Sequence, residues 1–406
     1  MNSKTGRQAF PGSSVAEELA KTVKICARCG FCKIHCPTYP FGGGFESYSP
    51  RAKVHFLKDY FEGKARLTPE WTDRLYRCTT CERCEEVCQT SMPLVRLWEA
   101  IRAEMVDRQL GPMPAHKKIH DFAKKFGNVY GEDASKQDQW RQPWHKTLEQ
   151  ADLLVFGGCT ASYRMPSMLQ TGVSILSRLN IPHAYAGGEE VCCASPLLRT
   201  GQLELAAELI GRNLDLFARK KALTIVTPCG GCSKTLKHDY PVWAKKLGKS
   251  FNIQVKHFSE LYVQLLREGH LRPTRPVQRT VTFHDPCHLG RSQGLFAEPR
   301  EIMAALPGLH LVEMPRSRAQ SHCCGAGGGV KANYPEMAGQ IARERLQEAV
   351  ATGADTLVTM CPFCQGSFTQ AIKESKESAT PIRLVGLEEM LLASLGDEEQ
   401  ETGQPE

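Results

Sequence analysis

Eighteen cysteines in 406 residues fall by spacing into four groups, with none left over. Cys26, Cys29, Cys32 and Cys36 form the first group and Cys78, Cys81, Cys84 and Cys88 the second. Cys159, Cys192, Cys193, Cys229 and Cys232 form the third, and Cys287, Cys323, Cys324, Cys361 and Cys364 the fourth. A chain using cysteine as a small hydrophobe would leave strays. Disulfide scaffolds are short, secreted and usually above roughly 8–10% cysteine. This chain is long, and its 41% of hydrophobic residues can build cores without staples. Its start, Met1-Asn2-Ser3-Lys4, has no apolar signal stretch. Cysteine-rich and unsecreted means metal or redox chemistry in a reducing compartment, so a cytoplasmic protein is expected. No apolar run approaches the ~18 residues that cross a bilayer. The best, Leu153–Phe156, stops at Gly157-Gly158, so membrane contact is expected only through a partner.

The first two groups share the spacing C-x2-C-x2-C-x3-C, the bacterial ferredoxin run, and Pro37 follows the first as the pattern asks. Three thiolates two residues apart wrap one iron cube, and the fourth points away to ligate the other cluster of the pair. This predicts one [4Fe–4S] cubane on Cys26, Cys29, Cys32 and Cys88, and a second on Cys78, Cys81, Cys84 and Cys36. The second run departs slightly, with Gln89 after Cys88 and a proline only at Pro93. Structural zinc also takes four cysteines, but as two separated C-x2-C pairs rather than four crowded ligands.

The last two groups are an internal repeat: single Cys, Cys-Cys, C-x2-C, recurring from Cys159 to Cys287 and from Cys229 to Cys361. Each copy reads as alternating strands and helices, which argues for a parallel α/β sheet. The first has strands at 151–156, 181–185 and 223–226, with helices at 166–179 and 202–220. The second has strands at 280–283, 309–313 and 356–359, with helices at 300–306 and 337–350. Every cysteine cluster follows a strand end, where open α/β sheets gather ligands. Gly230, Gly231, Gly325, Gly327, Gly328 and Gly329 surround the cysteines, and residues without Cβ let backbone N–H groups approach sulfur. The glycine run 325–329 lacks the dinucleotide spacing, so no flavin or nicotinamide is expected on this chain. A thioredoxin-like reading of Cys361-Pro362-Phe363-Cys364 leaves Cys287, Cys323 and Cys324 unexplained.

The second copy, from His284-Asp285-Pro286-Cys287-His288-Leu289-Gly290 through Cys323-Cys324-Gly325 to Cys361-Pro362-Phe363-Cys364, resembles the paired CCG domains of the heterodisulfide reductase family. With the ferredoxin-like runs, residues 20–395 resemble the D subunit of heterodisulfide reductase and its soluble relatives. Those relatives include the iron–sulfur subunits of glycolate and lactate oxidases and of benzoyl-CoA reductase complexes. The resemblance implies a helical di-cluster domain (1–110), a linker with one basic amphipathic helix (111–150), and two tandem Rossmann-like α/β CCG domains (151–272 and 278–395). An acidic, disordered tail (396–406) follows. The resemblance also implies that Cys287, Cys323, Cys324, Cys361 and Cys364 hold a noncubane [4Fe–4S] cluster and form the catalytic centre. The third group keeps five thiols but has Ala194 where glycine is usual, so one or two noncubane clusters are expected. His288 and His322 adjoin these ligands and are candidates for hydrogen bonding to cluster sulfur or protonating a leaving thiolate. His284 and Asp285 adjoin them too and are candidates for the same roles, with turn capping as the structural alternative for Asp285. Trp140 and Trp144 are expected to pack on the first CCG domain.

The expected function is an iron–sulfur electron-transfer subunit of a heterodisulfide-reductase-like complex, with thiol/disulfide redox chemistry at the CCG domains. The alternative is a pure relay serving a flavin-dependent dehydrogenase, an acyl-CoA or benzoyl-CoA reductase, or a 2-hydroxy acid oxidase. Flavoprotein, ferredoxin-like or cytochrome subunits are the expected partners. A reading of another class is an iron–sulfur redox sensor. The net charge of +7 permits nucleic acid, but no recognition motif accompanies it. Two cubanes at about −2 each would bring +7 to about +3, so much of the basic excess is counter-charge for clusters.

Overall fold

A computed structural model describes residues 13–374 and 382–396. The expected tail from Asp397 onward lies outside the described residues. The chain forms two compact units. The first runs to Gly131 and takes in Cys192–Gly211 and His322–Arg345. The second holds Glu132–Val191, Arg212–Ser321 and the chain from Leu346. The two Cys-Cys segments thus group with the ferredoxin-like part of the sequence, while Cys159, Cys229, Cys232, Cys287, Cys361 and Cys364 lie in the second unit.

The first unit is helical. Helix α1, Pro50–Phe61, starts where the Ser49 hydroxyl accepts from the Ala52 N–H (3.0 Å) and Pro50 takes the first position. Helix α2, Leu94–Asp107, buries Leu94, Leu97, Trp98, Ile101 and Met105, one helical stripe. With Val54, Leu57, Leu75 and Tyr76 they form the core. Helix α3, Pro114–Phe126, is the basic amphipathic helix expected of the linker. Cys192-Cys193 and Cys323-Cys324 precede equivalent turns. Gly325 has φ +83°, and Ala194 adopts the same left-handed conformation at φ +68°. The sequence departure is therefore absorbed without changing the turn, at a backbone cost of roughly 1 kcal/mol.

The second unit holds two four-stranded parallel sheets. In the first, β1 (Leu153–Val155), β2 (Ala184–Tyr185), β3 (Thr224–Thr227) and β4 (Gln254–His257) lie in the order β2-β1-β3-β4. In the second, β5 (Arg279–Phe283), β6 (Leu309–Leu311), β7 (Thr356–Thr359) and β8 (Arg383–Gly386) lie in the order β6-β5-β7-β8. The identical order bears out the repeat. Val155, Val226 and Phe258 of one copy and Val281, Val358 and Leu387 of the other belong to one apolar core. Three strands of each sheet fall where the sequence places them. The fourth, β4 or β8, is an addition to the sequence reading. Each carries only a short apolar signal, Val255 in β4 and Leu384 and Val385 in β8. Trp140 is buried and meets Tyr185 edge-on at 5.0 Å, as expected of packing. Trp144 differs: it is 55% exposed, with its ring against His145.

Candidate functional site

In the first unit the two ferredoxin runs share one backbone path. Arg28 and Gly30 take positive φ in the first run, and Thr80 and Glu82 take it at the same positions of the second. A short helix follows each, Phe31–Ile34 and Arg83–Glu86. These turns curl each run around a hollow. One hollow is lined by Cys26, Cys29, Cys32 and Cys88. Another is lined by Cys36, Cys78, Cys81 and Cys84, with Lys53 and Trp98. The fourth cysteine of each run thus lies in the other run's cavity, as the spacing rule requires.

The electrostatics suit a bound cation core. Burial, then the neighbouring Cys26, Cys29, Cys36 and Cys88, push the Cys32 thiol up to about 12. Burial, then Cys78, Cys81 and Cys36, raise Cys84 well above the ordinary thiol value. Crowded thiols ionise together when a bound metal supplies the compensating charge. Burial opposes ionisation at Cys88, but hydrogen bonds from Thr90, Met92 and Ser91 outweigh it and lower its pKa. The Met92 N–H stands 3.4 Å from Cys88 Sγ, and the Thr80 N–H 3.4 Å from Cys78 Sγ.

Arg102, fully buried on α2, ties this region together. Its guanidinium donates to the carbonyls of Leu75 (2.8 Å), Tyr76 (3.3 Å) and Cys78 (2.9 Å), where the helix Pro69–Tyr76 ends and the second run begins. It also donates to the carbonyls of Arg199 (2.8 Å) and Gly328 (3.1 Å), beyond the two Cys-Cys pairs. His116 Nε2 meets the Gly329 carbonyl at 2.9 Å, and burial lowers its pKa to about 4, so it is the neutral ring that donates. Gly325 N–H donates to Cys323 Sγ at 3.3 Å, the approach expected of these glycines. Gly327 and Gly328 serve differently. A Cβ on either would lie 2.3 Å from the Thr79 carbonyl or 2.2 Å from that of Cys78, so bare backbone is required for packing on the second run.

In the second unit, Cys159 follows β1, Cys229 follows β3, Cys287 follows β5 and Cys361 follows β7, at the carboxyl ends of strands beside each sheet's order reversal. Glu190 accepts from the N–H groups of Gly157 (2.9 Å) and Gly158 (2.5 Å), fixing the turn into Cys159. A Cβ on Gly158 would sit 2.8 Å from Cys232 Sγ. The two C-x2-C pairs meet: the Cys361 thiol hydrogen-bonds with those of Cys229 and Cys364, and its pKa rises to about 11. Gly230 and Gly231 face the turn after Cys287. A Cβ on Gly230 would lie 3.4 Å from Leu289, and one on Gly231 3.8 Å from His288 Nδ1. Gln293 donates to the His288 carbonyl at 2.6 Å, and its Oε1 accepts from the Ser233 hydroxyl at 2.9 Å. Asp285 takes both Nη atoms of Arg300 at 2.7 and 3.0 Å while almost fully buried. His322, in the first unit, stands 3.5 Å from Glu344.

Arg102 and Glu388 escaped the sequence, and Lys53, which there reads as a solvated, docking or phosphate-contacting surface residue, is buried. Glu388 opens the helix Leu387–Ser394 and is fully buried; neither carboxylate oxygen meets a donor from another described residue. Burial pushes its pKa to about 8, with Glu389 and Cys361 adding to the rise, so it is held as the neutral acid at neutral pH. Its counterpart in the first copy is Ser259, second residue of the helix Phe258–Arg267, so the repeat itself carries no signal of an acid.

Comparison with known proteins fits this arrangement. The family model of the 4Fe-4S dicluster domain matches residues 22–92, and that of the cysteine-rich CCG domain matches 153–237 and 281–369. The D subunit of the dihydromethanophenazine:CoB–CoM heterodisulfide reductase of Methanosarcina barkeri is 35% identical over 84% of this chain and 87% of its own. The chain belongs to the heterodisulfide reductase D family. The B subunit of the CoM/CoB fumarate reductase of Methanothermobacter marburgensis is 31% identical over 93% of this chain and 73% of its own. The EtfAB:quinone oxidoreductase of Syntrophomonas wolfei is 25% identical over 87% of this chain and 56% of its own. As a heterodisulfide reductase D-type protein, this is an iron–sulfur electron-transfer subunit of an oxidoreductase. No helix among the described residues is long and apolar enough to cross a membrane.

Proposed function

We propose that this chain moves electrons between a partner redox subunit and a thiol/disulfide couple, through two cubane clusters and at least one noncubane cluster. The ligand sets are those of the crossed cavities: Cys26, Cys29, Cys32 and Cys88 for one cubane, Cys36, Cys78, Cys81 and Cys84 for the other. The observation that carries this reading is the crossing itself. A pair of zinc sites would not require each run to send its last cysteine to its neighbour.

The two groups of five cysteines are the proposed noncubane ligands, with the complete set at Cys287, Cys323, Cys324, Cys361 and Cys364 as the substrate-facing one. Iron–sulfur clusters supply electrons one at a time, which suits a two-electron reaction on sulfur. Reduction of a disulfide breaks one S–S bond and consumes two electrons and two protons. The electrons come from the partner, a flavoprotein, ferredoxin-like or cytochrome subunit. His288, half-buried after Cys287, and His322, before Cys323, are the proposed proton donors. A membrane-bound partner of this kind would bring the chain to a membrane, no helix among its described residues being long and apolar enough to cross one.

The pure relay shares every ligand with this reading and differs in having no reaction with thiols. Electron paramagnetic resonance of the oxidised, anaerobically purified protein separates them. Adding a thiol substrate should generate a new paramagnetic signal, lost when Cys324 is replaced by Ser. A spectrum indifferent to thiols would establish the relay instead.

A further inference from the structure

The two ferredoxin-type cavities each carry four thiols, but their surroundings carry different charge. Beside the second cavity lies Lys53, on the first turn of α1, with 2% of its surface exposed. It forms no salt bridge with a carboxylate among the described residues. It lines that cavity beside Cys36, Cys78, Cys81 and Cys84, and the half-buried Glu82 is the acidic residue of the same lining. Arg102 is wholly buried as well, its guanidinium over the Tyr76 ring and hydrogen-bonded to carbonyl oxygens, one of them that of Cys78. Two buried cations without a salt bridge to a carboxylate would be costly in an empty fold. A cluster of about −2 held by four thiolates is the charge that balances them.

The first cavity has no such pair. Of its lining cations, Arg28 is exposed and Arg51 is already paired with Glu46 at 2.8 Å. Cys29 there is exposed as well, so water screens that site. Reduction adds a negative charge to a cluster. Buried positive charge favours that step, and solvent-screened, paired charge favours it far less.

We propose that Lys53, backed by Arg102, makes the cluster of the second cavity the higher-potential one, so that electrons entering at the exposed first cavity run downhill to the second. This rests on the proposal that cubane clusters fill both cavities. The direction places the electron beside Cys78 and Thr79, whose carbonyls pack against Gly328 and Gly327 after Cys323-Cys324. Lys53 acts as a tuning residue; it is not a ligand.

The test is a redox titration of the full chain, purified anaerobically and followed by electron paramagnetic resonance, with iron content measured alongside. The wild-type protein should show two separable one-electron midpoints. Lys53→Met should lower only the higher one, by at least tenfold in the reduction equilibrium, about 59 mV for one electron. Lys53→Arg should keep it. Full iron with both midpoints unmoved in Lys53→Met would overturn the proposal. Should Lys53→Met fail to load the second cluster, the wild-type titration decides, and coincident midpoints overturn it. A wild-type chain without cubane iron fails earlier, at the iron analysis, and takes the underlying reading with it.

Discussion

Replacing Arg102 with methionine should cost this protein both its first unit and its clusters. The side chain is fully buried and supplies five carbonyl oxygens with hydrogen bonds. Two belong to the last turn of the helix Pro69–Tyr76, whose end would otherwise leave carbonyls orphaned. Each buried acceptor left without a donor costs about 1–3 kcal/mol. The sum is of the order of 5 kcal/mol or more, comparable with the whole stability of a typical domain. Thermal unfolding and iron content after anaerobic purification are the measurements. The Met variant should be depleted of iron and unfold far earlier. Arg102→Lys, a point charge with three donors, should fall between, because it cannot span five acceptors. A fully loaded Met variant with unchanged unfolding would show that these hydrogen bonds are not what holds the second run in place.

Paired cysteine substitutions should reveal the crossing directly. If Cys36 serves the cavity of Cys78, Cys81 and Cys84, then Cys36→Ser with Cys81→Ser damages one cluster only, a loss of about four iron atoms. Cys36→Ser with Cys29→Ser damages both, a loss of about eight. Ligation in chain order, with each run holding its own cluster, requires the reverse. Iron analysis of the two double variants distinguishes the cases without knowledge of any substrate. The single variants Cys36→Ser and Cys88→Ser serve as controls, each expected to lose about four.

The cysteines make much of this legible. Their spacing alone sorts eighteen residues into ferredoxin runs and a repeated five-cysteine unit, and the cavities and matching sheet orders follow that division. Central strands such as Thr356–Thr359 are readable because both their faces are covered, which forces a short uninterrupted run of strand formers. Gln254–His257 is not, because Val255 is its single aliphatic residue and no apolar run marks it. The residues that tune and brace the site are invisible for a different reason. Lys53 and Arg102 sit in ordinary amphipathic helices, where a basic residue reads as solvated surface. Only the fold shows that each is buried. Glu388 is a third case: beside Glu389, which caps the start of its helix by accepting from the Gly386 N–H at 3.2 Å, it reads as one more acidic residue in a first turn. Ala194 runs the other way. Its departure from glycine argues against a regular first CCG turn, yet the backbone takes the left-handed conformation there all the same.

The central claim is that this chain is built around redox-active iron held by two crossed cubane sites and by the CCG cysteines. Mössbauer spectroscopy of the anaerobically purified protein, grown with isotopically labelled iron, tests it most directly. The account predicts about eight iron atoms in two cubane clusters that change state on reduction, with further iron in a spectroscopically distinct CCG environment. Stoichiometric zinc in the ferredoxin-type cavities, or iron whose spectrum does not respond to reduction, would contradict it.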